Sequence, residues 1–355
     1  MAAVTAPGRS NGDDREASQK EGGTSLPRVR IVSPALAAAN NGNWHTAARW
    51  QRFLAPVARV DVVGIDDSAA EDADGDRIDV LIALHARRSA AAIARWRERR
   101  TDAPLVVVLT GTDLYRDLDV DGGAQHSLEC ASRIVVLQEA GLARLDAASR
   151  AKAVVIVQSA PALRATRAPG DADFVAVGHL RDEKDPQTVM RAARLLAGDA
   201  APPPIVVHVG AALDARLGDE AQATMAACPA YRWLGALAHG AARRTIARAR
   251  ALVHASRMEG GANVVIEAVR SGVPVLASRI DGNVGLLGIG YDGFFPVGDA
   301  AALAALMRRF CDDDAFADQL RAQCALREPM FVPAVERRAV RLLVASLVAA
   351  AGSVR

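Results

Sequence analysis

The sequence predicts an α/β protein built from two successive doubly wound units, each a parallel sheet covered by helices on both faces. Short apolar runs alternate with amphipathic stretches along most of the chain, the pattern of Val/Ile/Leu strands buried on both sides. The alternation stops once, in "APALRATRAPGDAD" (residues 160–173), and then restarts. At 355 residues the chain also exceeds what one typical core organises.

In the first unit the expected strands are Val29–Ser33, Val57–Val63, Asp79–Leu84, Leu105–Thr110, Arg133–Leu137 and Ala153–Gln158. Helical patterns lie between them at Trp44–Leu54, Ala90–Arg100 and Ala124–Ala131. The second unit repeats the scheme with strands at Phe174–Val177, Ile205–Val209, Tyr231–Leu234, Ala251–His254 and Val273–Ala277. Its helices include Pro186–Leu196 and Ala241–Arg248, and the proline-rich "DAAPPPIVV" reads as a helix-to-strand connection. A last helical stretch, about Val335 to Ala350, is expected to pack back on the first unit. The division is then a disordered tail over 1–27, a first domain over 28–165, a second over 166–330 and a C-terminal helix over 331–355.

Composition narrows the function. The chain is 51% hydrophobic and 24% charged with a net charge of +2, which gives no footprint for nucleic acid, and 4% aromatic residues leave few stacking platforms. Cys130, Cys228, Cys311 and Cys324 lack paired short spacings and read as reduced thiols of a cytoplasmic protein, not as staples or zinc ligands. No run offers the ~20 apolar residues of a membrane span, and the first 27 residues lack the apolar core of a secretory signal.

In open parallel sheets ligands bind beyond the carboxyl ends of the strands. Two facing units would make a cleft there. "SRMEGGANVVIEAVRSGVPVLASRIDGN" (256–283) follows such an end and carries Glu259 and Glu267 around Gly260 and Gly261. A helix starting near Ala262 or Asn263 would offer backbone N–H groups to a diphosphate, and Glu267, a turn further in, two acceptor oxygens to vicinal hydroxyls. Either glutamate alone also suits a helix start electrostatically. "VGHLRDEKDP" (177–186) places Lys184, with His179 or Arg181, where positive charge would stabilise a departing anion, although such runs are often solvated salt-bridge loops.

Together these stretches resemble the GT-B glycosyltransferases, in particular the retaining group with a Glu-x7-Glu motif, the spacing of Glu259 and Glu267. The resemblance implies two Rossmann-like domains facing across a cleft, with Glu267 on the nucleotide ribose and Glu259 on the transferred sugar. That group usually has Arg where this chain has His179, so Arg181 is the substitute candidate. "PALAAANNGNWHTAARW", "LIALHARRSAAAI" and "VVVLTGTDLYRD" extend the likeness to the selenosugar synthase family of selenoneine biosynthesis. That family implies transfer of a sugar, N-acetylglucosamine or glucose, from a UDP-sugar to selenophosphate, giving a 1-selenosugar with release of UDP and phosphate. It also implies functional links to a selenophosphate-producing enzyme and a downstream selenoneine synthase.

The residues suit so small and anionic an acceptor. Gly42 and Asn43 stand at a helix start, His85, Arg87, Arg88 and Ser89 just beyond a strand, and Thr110, Gly111 and Thr112 at the next strand end. Each has a plainer reading. Arg87 and Arg88 adjoin on a helix and so point different ways, the asparagines at 40, 41 and 43 serve as turn and capping residues, and Asp113 caps a helix. Lys184, Arg181 and Glu259 are the catalytic candidates, and His179, Gly260, Gly261, Ala262, Asn263 and Glu267 the UDP-sugar side. No cofactor or metal is expected. The rivals are a GT-B enzyme with a sugar, lipid or small-alcohol acceptor, the basic helix at Ala91–Arg100 being the one lipid-facing candidate, and a nucleotide-sugar sensor without turnover. "GLLGIG" is not a dinucleotide fingerprint.

Overall fold

A computed structural model describes residues 26–39, 41–67, 77–198 and 202–353. The expected tail lies outside them up to residue 25, as do Asn40 and the start of the proline-rich connection.

The first domain holds β1 (Arg28–Ser33), α1 (Gly42–Leu54), β2 (Arg59–Gly64), β3 (Val80–Leu84), α2 (Ala90–Arg99) and β4 (Leu105–Leu109). It continues with α3 (Leu118–Val120), α4 (Gly122–Cys130), β5 (Arg133–Val136), α5 (Ala147–Ala151) and β6 (Ala153–Val155). All its strands pair parallel in the order β2-β1-β3-β4-β5-β6. The alternate faces of these strands feed two separate cores. Val29, Ile31, Ile82 and Val106 meet Trp50 and Leu54 of α1, while Leu81, Ala83 and Val107 meet Ile93 and Trp96 of α2. This is why the central strands β3 and β4 read as unbroken hydrophobic runs.

The second domain holds β7 (Phe174–Val177), α6 (Pro186–Ala197), β8 (Val206–Val209), α7 (Ala215–Ala227), β9 (Tyr231–Trp233), α8 (His239–Arg248) and β10 (Ala251–His254). After it come α9 (Asn263–Arg270), β11 (Val275–Ser278), α10 (Asp281–Leu287), β12 (Phe294–Phe295), α11 (Ala300–Asp312), α12 (Asp314–Arg327) and α13 (Pro333–Ser353). Its sheet is again parallel, in the order β12-β11-β10-β7-β8-β9. In each sheet the strand order reverses once, between β1 and β3 and between β7 and β10. Loops diverge at those points and leave a crevice.

Some boundaries moved for local reasons. Val57 belongs to the turn that closes α1, its N–H donating to Leu54 O at 2.8 Å, so β2 starts later than expected. Strand β6 stops at Val155 because the chain leaves the sheet to become the interdomain linker. α13 returns to the first sheet, where Val340, Leu343, Val344 and Leu347 join the α1-side core. Its Glu336 is buried and accepts from Arg49 Nε (2.8 Å), Trp50 Nε1 (2.7 Å) and Ser159 Oγ (2.6 Å), tying α13, α1 and the linker together.

Candidate active site

Between the facing sheet edges lies a cleft of about 640 Å³. The first domain lines it with Gly42, Asn43, His45, His85, Arg88 and the 110–112 loop, and the second with Gly178–His179, Arg181, Lys184, Gly210, His239 and the 258–267 segment. Two helices aim their N-termini into it, α1 from the first domain and α9 from the second. They face one another closely, since a Cβ on Gly42 would stand 3.6 Å from Asn263 Nδ2. α1 is capped by Asn41, which accepts from Trp44 N at 3.2 Å, whereas α9 has no side-chain cap. Uncapped first-turn N–H groups and the macrodipole make such ends attract anions.

On the second domain, Lys184 pairs with Glu259, and the lysine stem lies over Gly178. Burial alone would raise the Glu259 carboxyl, but Lys184 and the adjacent His254 ring outweigh it and hold the carboxyl far below its ordinary range. Arg181 lines the same wall, its buried Nε 3.9 Å from Glu183 Oε2 and without a hydrogen bond. Burial, with the cations Arg181 and Lys184, lowers the proton affinity of His179, and its Nδ1 accepts from Ala211 N at 3.1 Å. Glu267 sits one turn into α9, buried, with Oε1 2.6 Å from His239 Nε2 and 3.8 Å from Arg243 Nε.

Several first-domain expectations are corrected. Arg87 and Arg88 stand in the turn before α2 rather than on it, and only Arg88 lines the cleft. Arg87 turns away to Asp117, 2.9 Å from Nε to Oδ2, where a buried carboxylate holds it. Ser89 is fully buried and its Oγ donates to Leu84 O at 2.7 Å, so it closes the strand end instead of facing a ligand. The Gly111 N–H is also engaged: buried Asp113 accepts from Gly111 N (2.8 Å), Thr110 N (2.9 Å) and Ala86 N (3.0 Å), pinning the 85–89 and 110–112 loops together. Thr112 Oγ1 lies 3.0 Å from His85 Nε2. His85 is held at φ 70°, a left-handed conformation uncommon away from glycine, and burial lowers its proton affinity against the pull of Asp113.

Gly260 is corrected as well. It lies at a domain contact rather than in an open cradle, for a Cβ there would meet Thr110 C at 2.6 Å and Gly111 N at 2.7 Å. Gly261 likewise abuts Leu137 Cβ at 2.8 Å. These two glycines let the second-domain loop close on the first domain. Arg116 reaches Glu183 across the same seam at 3.2 Å, and the His45 and His239 rings stack with centroids 4.2 Å apart.

Residue-by-residue reading missed His239, Gln158 and His254. Gln158, in the linker, sits with its amide oriented to donate to Gly261 O (3.1 Å) and accept from Arg49 Nη2 (3.3 Å), joining the α9 turn to α1. His239 follows β9 and was findable by the strand-end rule. His254 ends the apolar run "ALVH", where an imidazole is itself a signal. Arginines in and just past α2 are tied to the first domain: Arg95 donates to Ile65 O, Arg97 to Cys130 O and Ala103 O, and Arg100, the residue after the helix, to Ile78 O. Among the described residues no helix is long and apolar enough to cross a membrane.

Residues 163–326, nearly all of the second domain, match the family model of glycosyl transferases group 1. Among solved structures, sucrose-phosphate synthase of Thermosynechococcus elongatus is 16% identical, covers 91% of this chain and 100% of its own, and has a TM-score of 0.74. HepE of Anabaena, solved with UDP and glucose, is 14% identical over 90% of this chain and 100% of its own, at a TM-score of 0.71. The pneumococcal O-GlcNAc transferase GtfA, solved with UDP and GlcNAc, is 15% identical over 76% of this chain and 57% of its own, at a TM-score of 0.61. No curated protein matches the chain in sequence. The fold is that of the GT-B glycosyltransferases.

Proposed function

We propose that this chain is a glycosyltransferase that moves N-acetylglucosamine or glucose from a UDP-sugar to selenophosphate, giving a 1-selenosugar with release of UDP and phosphate. The observation that carries it is one cleft into which two helix N-termini open, α1 and α9, and which Arg88, Arg181 and Lys184 also line. One cleft thereby offers two anion sites, one for a nucleotide diphosphate and one for a small anionic acceptor. HepE and GtfA, solved with UDP, support the donor half of this reading.

In this reading the uncapped α9 turn, Lys184 and Arg181 hold the diphosphate, and Glu267 accepts from the ribose hydroxyls with His239 fixing its free rotation. Glu259 accepts from hydroxyls of the transferred sugar. The Gly42 and Asn43 N–H groups and Arg88 take the phosphate oxygens of selenophosphate and aim selenium at C1. The Se–C1 bond forms as the C1–O bond breaks, and the electron pair leaves with UDP, where the cations stabilise the developing charge. The ionised selenium needs no general base, so positioning and water exclusion do most of the work. Water then removes phosphate from the glycosyl selenophosphate. The enzyme is read as cytoplasmic, acting after a selenophosphate-producing enzyme and before a selenoneine synthase.

Incubation with selenophosphate and UDP-N-acetylglucosamine or UDP-glucose, followed by mass spectrometry, tests this. A selenium-containing sugar is expected; sugar transfer only to an alcohol or a sugar, or UDP-sugar binding without turnover, overturns it.

A further inference from the structure

Glu259 is held from two sides. Its Oε1 pairs with Lys184 Nζ and lies 3.4 Å from His254 Nε2. His254 ends β10 after three buried apolar residues and is itself 3% exposed. A buried imidazole calls for partners, yet among the described residues its Nδ1 has none. Beside it lies a cavity of about 20 Å³, lined in part by Lys184, His208, His254 and Ser256, enough for one water.

We propose that His254 is a positioning residue that takes over Glu259 when the donor diphosphate draws Lys184 away, gaining a proton as it does so. The proposal rests on the reading of Lys184 as a diphosphate ligand. The Lys184 ammonium has three N–H donors, but its single positive charge, once shared with a diphosphate, no longer neutralises Glu259 in full. Once Lys184 swings across Gly178 toward the donor, Glu259, only 9% exposed, becomes a buried charge without a counter-ion, a state burial strongly disfavours. Of the two groups left facing each other at 3.4 Å, only the imidazole can become a cation and restore the pair.

The surroundings favour the imidazole. Among the described residues Glu259 is the charged group in ion-pair contact with His254, and Lys184 lines the same cavity. Ser256 Oγ, 3.3 Å from Nε2, is neutral, and His208 across the cavity is kept neutral by burial, which lowers it to about 4. The Nε2–H stays on Glu259, and Nδ1 receives the new proton from solvent by way of this cavity. No other bond changes. Glu259 remains an anionic acceptor aimed at the sugar throughout the exchange.

The test is calorimetric titration of the full chain with UDP-glucose, whose esterified diphosphate has no proton to exchange near neutrality. Measuring in two buffers of different ionisation enthalpy gives the proton count. About one proton is expected to be taken up per UDP-glucose bound. The count should fall to near zero in His254→Gln and persist in His179→Gln. Wild-type binding without uptake, or undiminished uptake in His254→Gln, overturns the proposal while leaving the UDP-sugar reading intact. No binding of UDP-glucose overturns both. Should His254→Gln fail to fold, Glu259→Gln answers the same question: without the carboxylate the uptake must vanish, and its persistence overturns the proposal.

Discussion

Replacing Gly260 with alanine asks whether turnover needs the two domains to close on each other. A Cβ there would stand 2.6 Å from Thr110 C and 2.7 Å from both Gly111 N and Thr110 O. All three are backbone atoms of a loop that Asp113 pins through Thr110 N and Gly111 N, so no flexible side chain can yield. Carbon contacts are comfortable only from ~3.5 Å, so the loops must part by roughly 1 Å. Gly260 is not among the positive-φ residues, so alanine adds no backbone strain when the domains are apart. A misplacement on the order of 1 Å costs ~100-fold in rate, or about 3 kcal/mol of barrier. UDP release from UDP-N-acetylglucosamine with selenophosphate reads kcat, and calorimetry with UDP reads the second domain alone. The expected result is a kcat about 100-fold lower, with UDP affinity and Tm near those of the parent. Parental turnover by the folded variant, or an equal loss of UDP affinity, would refute the closure argument.

Arg88→Ala should raise KM for selenophosphate about tenfold, whereas Arg87→Ala, which loses a contact to Asp117, should leave it near the parental value in the same initial-rate assay. Glu267→Ala removes a buried acceptor now turned to His239, and calorimetry should show UDP bound on the order of tenfold to a hundredfold more weakly. Glu336→Ala strands the buried Arg49 guanidinium and Trp50 N–H, so urea unfolding should register a loss of about 3–5 kcal/mol. Burial lowers His208 to about 4, so the folded state resists protonation there while the unfolded state, with an ordinary imidazole, accepts it. Stability should therefore decline as pH falls from about 6.5 toward about 4, by about 3 kcal/mol from this residue. In His208→Gln, chemical denaturation across that window should show a correspondingly flatter profile.

Periodicity carried much of the architecture. Unbroken Val/Ile/Leu runs separated by helical patterns locate the strands within a few residues, because a strand covered on both faces has no polar alternative. Strand-end reasoning likewise led to Glu259, Glu267, Lys184 and Arg88. It failed where two loops compete for one side chain. Arg87 and Arg88 are indistinguishable in "HARRS", and Asp117, on the helical turn that follows β4, decides which of them leaves the cleft. Gly111 reads as a free N–H donor until Asp113, two residues on, folds back and accepts from it.

The sequence by itself determined the two parallel sheets, the linker between them, and the seven-residue interval that sets Glu259 in a loop and Glu267 on a helix. Those follow from local spacing and from burial, which act along a single segment. Only the tertiary structure decided that Gly260 is a point of domain contact, that His239 holds Glu267, and that His254 shares Glu259 with Lys184. Coulomb pairing and steric exclusion depend on distances across the cleft, and those distances are set by how the domains meet rather than by the order of residues within either one.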